Sequence, residues 1–391
     1  MKKLKLLSLM LLSFAVIFLI GCSEGTDISS PDKQGDLSRN QYIVVFEDNA
    51  FGDATQSAEA MRNNVLSVLK NYGIKESELV YVYSSAFKGF CSVLSPEQAE
   101  MIRMDKRVRM IEKDREVRLD DPMVIEDNPK TAKFLAESTP WGITSVGGYV
   151  VATSTTGTAW IIDTGIDLDH PELNVQVSLC KNFVNTRRNA EDDNGHGTHV
   201  AGTIAARHNT IGVVGVCAGA KVVGVKVLNK NGSGTYSGII KGIDYVSSKA
   251  SAGDVANMSF GGGASDALDA AVINLANHGV YVTIAAGNSA ANAINYSPAR
   301  VLHNNAFTVS AHDVNNVFAY FSNYGNPPID WCTPGVNVYS TYKNGGYAWM
   351  SGTSMSAPHM AGILLVTGGT VVSRGPVTND PDGNPDLMAG H

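Results

Sequence analysis

The sequence predicts an α/β protein: a three-layer doubly wound parallel sheet, preceded by a small α+β domain of βαββαβ order. Two patterns carry this expectation. From about residue 139, short continuously apolar runs alternate with helical segments, as strands buried on both faces require. Between residues 39 and 119, β-branched and aromatic runs alternate with segments of helical spacing. The 391 residues, 44% apolar and 17% charged, suffice for about two domains with a sizeable core.

At the N-terminus, Lys2, Lys3 and Lys5 precede an apolar run from Leu6 to Ile20, too short for a comfortable bilayer span. These flanks predict a removable export signal over residues 1–21. The run ends Leu19-Ile20-Gly21-Cys22, which resembles the lipobox of bacterial lipoproteins and implies a lipid on Cys22 that holds the protein at the cell envelope. The alternative is an ordinary signal peptide with a stray cysteine. Residues 22–38 are rich in Ser, Gly, Asp and Lys and read as a flexible tether.

The small domain, residues 39–119, begins with Tyr42-Ile43-Val44-Val45-Phe46, a strand signal. Ala58 to Tyr72 follows with Met61, Val65 and Leu69 at helical spacing. Leu79 to Tyr83 and Gly89 to Leu94 read as strands, Pro96 to Met104 as a helix, and Val108 to Ile111 as a last strand. This is the split βαββαβ order. Residues 120–138, acidic and mixed in character, read as a linker.

In the large domain, residues 139–391, the predicted strands are Ala159 to Ile162, Val222 to Leu228, Val255 to Met258, Val280 to Ala285 and Ala306 to Ser310. Reacting groups of such sheets gather at the carboxyl ends of strands, where Asp163 and residues 285–288 fall.

Three motifs carry the chemistry: Ile161-Ile162-Asp163-Thr164-Gly165, Asn194-Gly195-His196-Gly197-Thr198-His199 and Gly352-Thr353-Ser354-Met355. A serine hydroxyl is a weak nucleophile at neutral pH and needs an imidazole to take its proton. A buried carboxylate must then hold that imidazole in one tautomer. Asp163, His196 and Ser354 supply these groups, in one of the known chain orders. Ser354 precedes a small-residue, apolar segment and so falls at a predicted helix N-terminus, whose amide donors favour negative charge.

These motifs, together with Ala285-Ala286-Gly287-Asn288, resemble the subtilisin-like serine proteases from about residue 40 to 367. The resemblance implies a Ser-His-Asp triad, with Asn288 as an oxyanion donor beside the Ser354 amide, and a small domain that is an inhibitory propeptide. It implies that substrate lies between Gly232-Ser233-Gly234 and Ser259-Phe260-Gly261, with the pocket for the residue before the scissile bond walled by Ala285, Ala286 and Gly287. These small, uncharged walls predict tolerance for large apolar or aromatic residues. It also implies a calcium site from the Glu172 carboxylate, the Asn209 side chain and the carbonyls of Arg207, Ile211 and Val213. Glu137 and Asp330 are further cation candidates. Glu172 stands where the family more usually has Asp, and Ser356 replaces a commoner alanine, with little expected effect.

A net charge of −7 provides no basic stripe for nucleic acid. The five cysteines show no Cys-x-x-Cys spacing for zinc, and the pairing of Cys91, Cys180, Cys217 and Cys332 stays open. Beyond the Ser354 helix the chain reads as a turn-rich tail, with residues 380–386 a solvated turn that lacks EF-hand spacing. The expectation is a monomeric serine endopeptidase, secreted or surface-anchored, that acts on polypeptides and is made as a self-processed zymogen. The rival readings are a non-catalytic surface binding protein on the same fold, a peptide ligase and an inhibitor.

Overall fold

The computed structural model describes residues 40–52, 57–119, 123–126 and 136–391. The expected leader, the tether up to residue 38 and Cys22 lie outside the described residues, as does most of the 120–138 linker.

The small domain is a four-stranded antiparallel sheet of β1 (Gln41–Phe46), β2 (Leu79–Tyr83), β3 (Gly89–Val93) and β4 (Val108–Lys113), in the order β2-β3-β1-β4. Two helices cover one face, α1 (Ala58–Asn71) and α2 (Pro96–Arg103). Ser57 starts α1 by accepting the Ala60 amide. Ser95 and Gln98 form a reciprocal capping box at α2, with Pro96 in its first turn. Met61, Val65, Val68 and Leu69 form the buried stripe of α1.

The continuous apolar run of β1 has a structural cause. Side chains alternate across a strand, so Val44 and Phe46 enter the core under α1 and α2, while Ile43 and Val45 enter a second core on the opposite face. That second core belongs to the large domain and includes Ile239, Ile240, Ala271 and Leu275. One strand therefore serves two cores, and each fully buried aliphatic side chain contributes about 1.5–3 kcal/mol.

The large domain is built on a ten-stranded sheet. Its longer strands are β7 (Thr158–Asp163), β8 (Lys221–Lys226), β10 (Val255–Met258), β11 (Tyr281–Ala285), β12 (Ala306–His312) and β13 (Ile329–Pro334). They run parallel in the order β8-β7-β10-β11-β12-β13. The helices that position the site are α3 (His196–Ala205), α4 (Tyr236–Lys249), α5 (Asp266–Asn277) and α6 (Thr353–Thr367). The core on the α4–α5 side and the core around α3 and α6 form distinct clusters, which makes three layers. Residues Thr353 to Leu365 of α6 are buried all round, the signature of a central helix.

Three segments differ from expectation. The tail forms β16 (Val372–Pro376) and β17 (Leu387–Gly390), and β17 adds to the main sheet beside β13, with Cys332 opposite Met388. Residues 381–385 are exposed as expected, but Asp380 is half-buried and Asp386 is buried against Ser310 and Asn326. The stretch after Arg115 is also structured: β5 (Glu116–Arg118) pairs antiparallel with β9 (Ser233–Thr235). Beyond it, β6 (Met123–Glu126) pairs with β15 (Gly346–Ser351), itself hydrogen-bonded to β14 (Val338–Tyr342). Cys91, Cys180, Cys217 and Cys332 are all thiols, and burial pushes Cys180 and Cys217 up to about 11. No described helix is long and apolar enough to cross a membrane.

Candidate active site

Asp163 ends β7 and His196 opens α3, and the structure brings them together. The imidazole Nδ1 lies 2.8 Å from Asp163 Oδ1 and 2.9 Å from Oδ2, with the His and Asp side chains 1% and 0% exposed. Asp163 Oδ1 also accepts the Thr164 amide at 2.6 Å. Backbone must pass close by for this to happen. A Cβ at Gly197 would strike the Gly165 carbonyl, and Gly195 adopts φ 114° just ahead of α3.

Asp192, which the sequence reading did not single out, fastens the two loops. Its Oδ1 accepts the Thr164 hydroxyl (2.9 Å) and the Gly195 amide (2.8 Å); its Oδ2 accepts the Thr198 amide (2.9 Å) and hydroxyl (2.6 Å). An acidic residue just before a helix start was the available signal.

Ser354 lies in the first turn of α6, where amides lack intrahelical acceptors. Its Oγ donates to the Ser259 carbonyl at 3.0 Å, and Ser259 Oγ donates to the Ser354 carbonyl at 2.8 Å. Asn257 donates to Ser259 Oγ at 2.8 Å and accepts from Thr283 at 2.9 Å. Asn288 Oδ1 accepts both the amide (2.8 Å) and the hydroxyl (2.9 Å) of Thr353, which fixes its amide plane beside the nucleophile's helix. Ser356 does more than fill space, since its hydroxyl donates to the Thr333 carbonyl at 3.1 Å.

A cleft of about 480 Å³ brings together Ser354, Asn288, Phe260, Gly261, Ala285, Ala286 and Gly287, which the sequence singled out separately. The same cleft is lined by Glu116 to Leu119 of this chain. Ser233, Gly234 and Thr235 pair with Arg118, Val117 and Glu116, and the Leu119 amide donates to the Gly232 carbonyl at 2.9 Å. Val117 is buried in one cluster with Tyr236 and Phe260.

The small domain grips α4 and α5 with carboxylates. Glu112 accepts the Ala267 amide in the first turn of α5 (3.1 Å), and Asp114 accepts the Ser237 amide (3.0 Å) and hydroxyl at the start of α4. Both sit at positive helix ends. Burial pushes the Asp114 carboxyl up. In return, Asp244 of α4 accepts the amides of Ser84 (2.8 Å), Ser85 (2.7 Å) and Ala86 (3.0 Å).

Away from the cleft, the expected cation loop closes on itself. Glu172 is fully buried; its carboxylate accepts the Val213 amide at 3.2 Å and meets the Tyr347 hydroxyl. Burial pushes it up to about 8, and the nearby Glu137 charge adds to the rise. Glu137 accepts from the Asn209 amide and lies 2.7 Å from His208 Nδ1, while Asn209 Oδ1 accepts the Ile211 amide at 2.7 Å. The Arg207 amide donates to the Glu172 carbonyl at 2.9 Å and its guanidinium to the Leu173 carbonyl. The Glu137 and Glu172 carboxylates, the Asn209 amide oxygen and the loop carbonyls are oxygen donors of the type that a hard cation takes. Asp330 sits elsewhere, accepting the Thr308 amide at 2.8 Å beside Asp386. An acidic group not foreseen, Asp167, Asp169 and Glu191, places carboxylate oxygens within 4.8 Å of one another.

A buried carboxylate–imidazole pair, a serine at a helix start and an inhibitor-like strand in the cleft define a serine-hydrolase class of site. Comparison with known proteins agrees with this. The subtilase family model matches residues 160–368, and the peptidase inhibitor I9 model matches residues 41–120. Alkaline serine exoprotease A of Vibrio alginolyticus is 39% identical over 84% of this chain and 60% of its own length. M-protease of Shouchella clausii is 36% identical over 89% of this chain and 85% of its own length. A crystal structure of a cold adapted subtilisin-like serine proteinase aligns with a TM-score of 0.55 and 35% identity, covering 63% of this chain and 96% of the other. The chain belongs to the subtilase family, with the fold, the I9-type inhibitor domain and the serine-protease class of its relatives.

Proposed function

We propose that the chain is the zymogen of an exported serine endopeptidase, with Ser354 as nucleophile, His196 as general base, and Asp163 as its orienting carboxylate. The observation that carries this reading is the paired contact of buried Asp163 with His196 Nδ1. That contact fixes the tautomer with Nε2 as the proton acceptor. Ser354 Oγ turns from the Ser259 carbonyl toward His196 and attacks the substrate carbonyl, giving its proton to Nε2. The negative charge that develops on oxygen is met by the Ser354 amide and the Asn288 side chain. His196 returns the proton to the leaving amine, and water then repeats the sequence on the acyl-enzyme.

Residues 39–119 act as intramolecular inhibitor. Their last strand pairs with β9 as an extended substrate would, through backbone hydrogen bonds. Calcium at Glu172, Glu137, Asn209 and the carbonyls of Arg207, Ile211 and Val213 would supply the positive charge that buried Glu172 lacks. Cys22 would carry the lipid that holds the protein at the cell envelope, and the enzyme works as a monomer on polypeptide substrates.

A fluorophosphonate probe tests the reading. It is expected to modify wild-type protein at Ser354 and to leave Ser354→Ala and His196→Ala unlabelled. Folded wild-type protein that stays unlabelled after removal of residues 39–119 would overturn the catalytic reading and favour a binding protein on this fold.

A further inference from the structure

The end of β8 holds the Asp163 loop in three ways. Lys226 is the register partner of Asp163. The Asp163 carbonyl accepts the amides of Val227 (2.9 Å) and Leu228 (3.1 Å). Lys226 Nζ donates to the carbonyl of Thr164, the residue whose own amide bonds Asp163 Oδ1. Side chains alternate across a strand. Val223, Val225, Trp160 and Ile162 enter the core on the α4–α5 side, so Lys226 and Asp163 both point to the opposite face, toward α3. The Lys226 side chain is 4% exposed, and a charge so buried persists only against compensating acceptors. Its second acceptor is Asp193 Oδ1 at 2.7 Å, on the loop that leads into His196. One buried cation therefore ties the loop after Asp163 to the loop before His196, the same two loops that Asp192 joins as an anion.

We propose that Lys226 is a positioning residue of the hydrolytic reaction. It holds the Asp163 and His196 loops together and offsets the carboxylates around the imidazole, so that His196 is free to accept the Ser354 proton at neutral pH. This rests on the protease reading above. Asp163 and Asp167, whose amide donates to the Thr198 hydroxyl at 2.9 Å, come from the end of β7. Asp192 and Asp193 come from the loop before α3, Lys226 from β8, and α6 carries Ser354. Tyr342 and Lys343, at the end of β14, donate to the Asn194 carbonyl at 3.1 and 2.7 Å. Removing Lys226 leaves a more negative surrounding that favours the protonated imidazole, whereas removing Asp193 leaves an uncompensated ammonium that disfavours it. Both changes break the same ion pair, yet they move the base in opposite directions.

The test is the pH dependence of kcat/KM for a peptide nitroanilide, measured on the full chain after maturation, since its acid limb reports the base of the free enzyme. Lys226→Met is expected to move that limb up by roughly half to one pH unit. It is also expected to lower kcat on the plateau about tenfold, the scale of a charge-assisted hydrogen bond, with little change in KM. Asp193→Asn is expected to move the limb down, and by less, because the Asp193 side chain is 50% exposed and screened by solvent. Lys226→Arg keeps the charge and is expected to restore the wild-type limb. Melting curves of each variant report folding. A clamp with a structural role alone would lower the melting temperature of both ion-pair variants and leave the limb in place, and that result overturns the inference. Should Lys226→Met not fold, Asp193→Asn decides alone: a downward shift supports the inference, and an unmoved or upward limb overturns it. Folded wild-type protein that hydrolyses no substrate and takes no fluorophosphonate at Ser354 would instead overturn the protease reading, and this inference with it.

Discussion

Asp163 and Glu172 are both buried carboxylates on neighbouring loops, and they have been given different partners. Asp163 faces an imidazole and a backbone amide within 2.9 Å, so its charge has a proton donor beside it. Glu172 has the Val213 amide, a tyrosine hydroxyl and another carboxylate nearby, and burial pushes it up to about 8. A buried charge without a compensating partner costs several kcal/mol or takes up a proton. The first site is complete within the chain; in the proposed reading a cation completes the second. This difference separates the residues that govern chemistry from those that govern stability.

The largest effect should come from breaking the complete site. Ser354→Ala or His196→Ala is expected to lower kcat by roughly 10⁴- to 10⁶-fold, with the double variant no worse, because these groups act as a unit. Asp163→Asn should cost about 10⁴-fold by holding the wrong tautomer. Peptidase kinetics check all four, and melting temperatures should stay near wild type.

Glu172 should behave in the opposite way. Its folded carboxyl titrates near 8 against an ordinary 4.5, so across that window the folded state keeps a proton that the unfolded chain has lost. Stability in chelator should therefore fall as pH rises from about 4.5 to 8, by a few kcal/mol in all. Calcium replaces the proton and restores stability at pH 8 by mass action. Glu172→Gln should flatten the pH dependence in chelator and abolish the calcium effect, as read by thermal melts in a Ser354→Ala background. An unchanged slope would show that Glu172 is not the titrating group.

Smaller effects sharpen the division. Asn288→Ala should lower kcat by about 10²- to 10³-fold with little change in KM, since its donor acts on charge formed in the transition state. Asp244→Ala leaves three small-domain amides without their carboxylate. It should weaken inhibition by added residues 39–119 roughly tenfold, at the scale of a charge-assisted hydrogen bond.

The legible parts of the sequence were those with local cause. Met61, Val65 and Leu69 mark α1 because helical spacing buries them on one face, and Leu79–Tyr83 is a strand where the β-branched run stands. The motif residues Asp163, His196 and Asn288 were legible because Asp163 ends β7, His196 opens α3 and Asn288 follows the end of β11 by three residues, beside elements whose pattern is plain. What escaped depends on partners distant in sequence. β5 and β6 are short and polar in part, and they become strands only because β9 and β15 offer open edges. β17 is four residues within a turn-rich tail and is held by β13. Asp192, Asp114 and Asp244 matter through backbone amides elsewhere, which no side-chain pattern reports.

The most direct test is to express the chain from residue 23 onward with calcium, as wild type and as Ser354→Ala, and to read the N-terminus and mass of each product. The expected result is a wild-type product cut between about residues 119 and 140 beside an intact Ser354→Ala chain. Equal cutting in both proteins, or in neither, would contradict self-processing by Ser354.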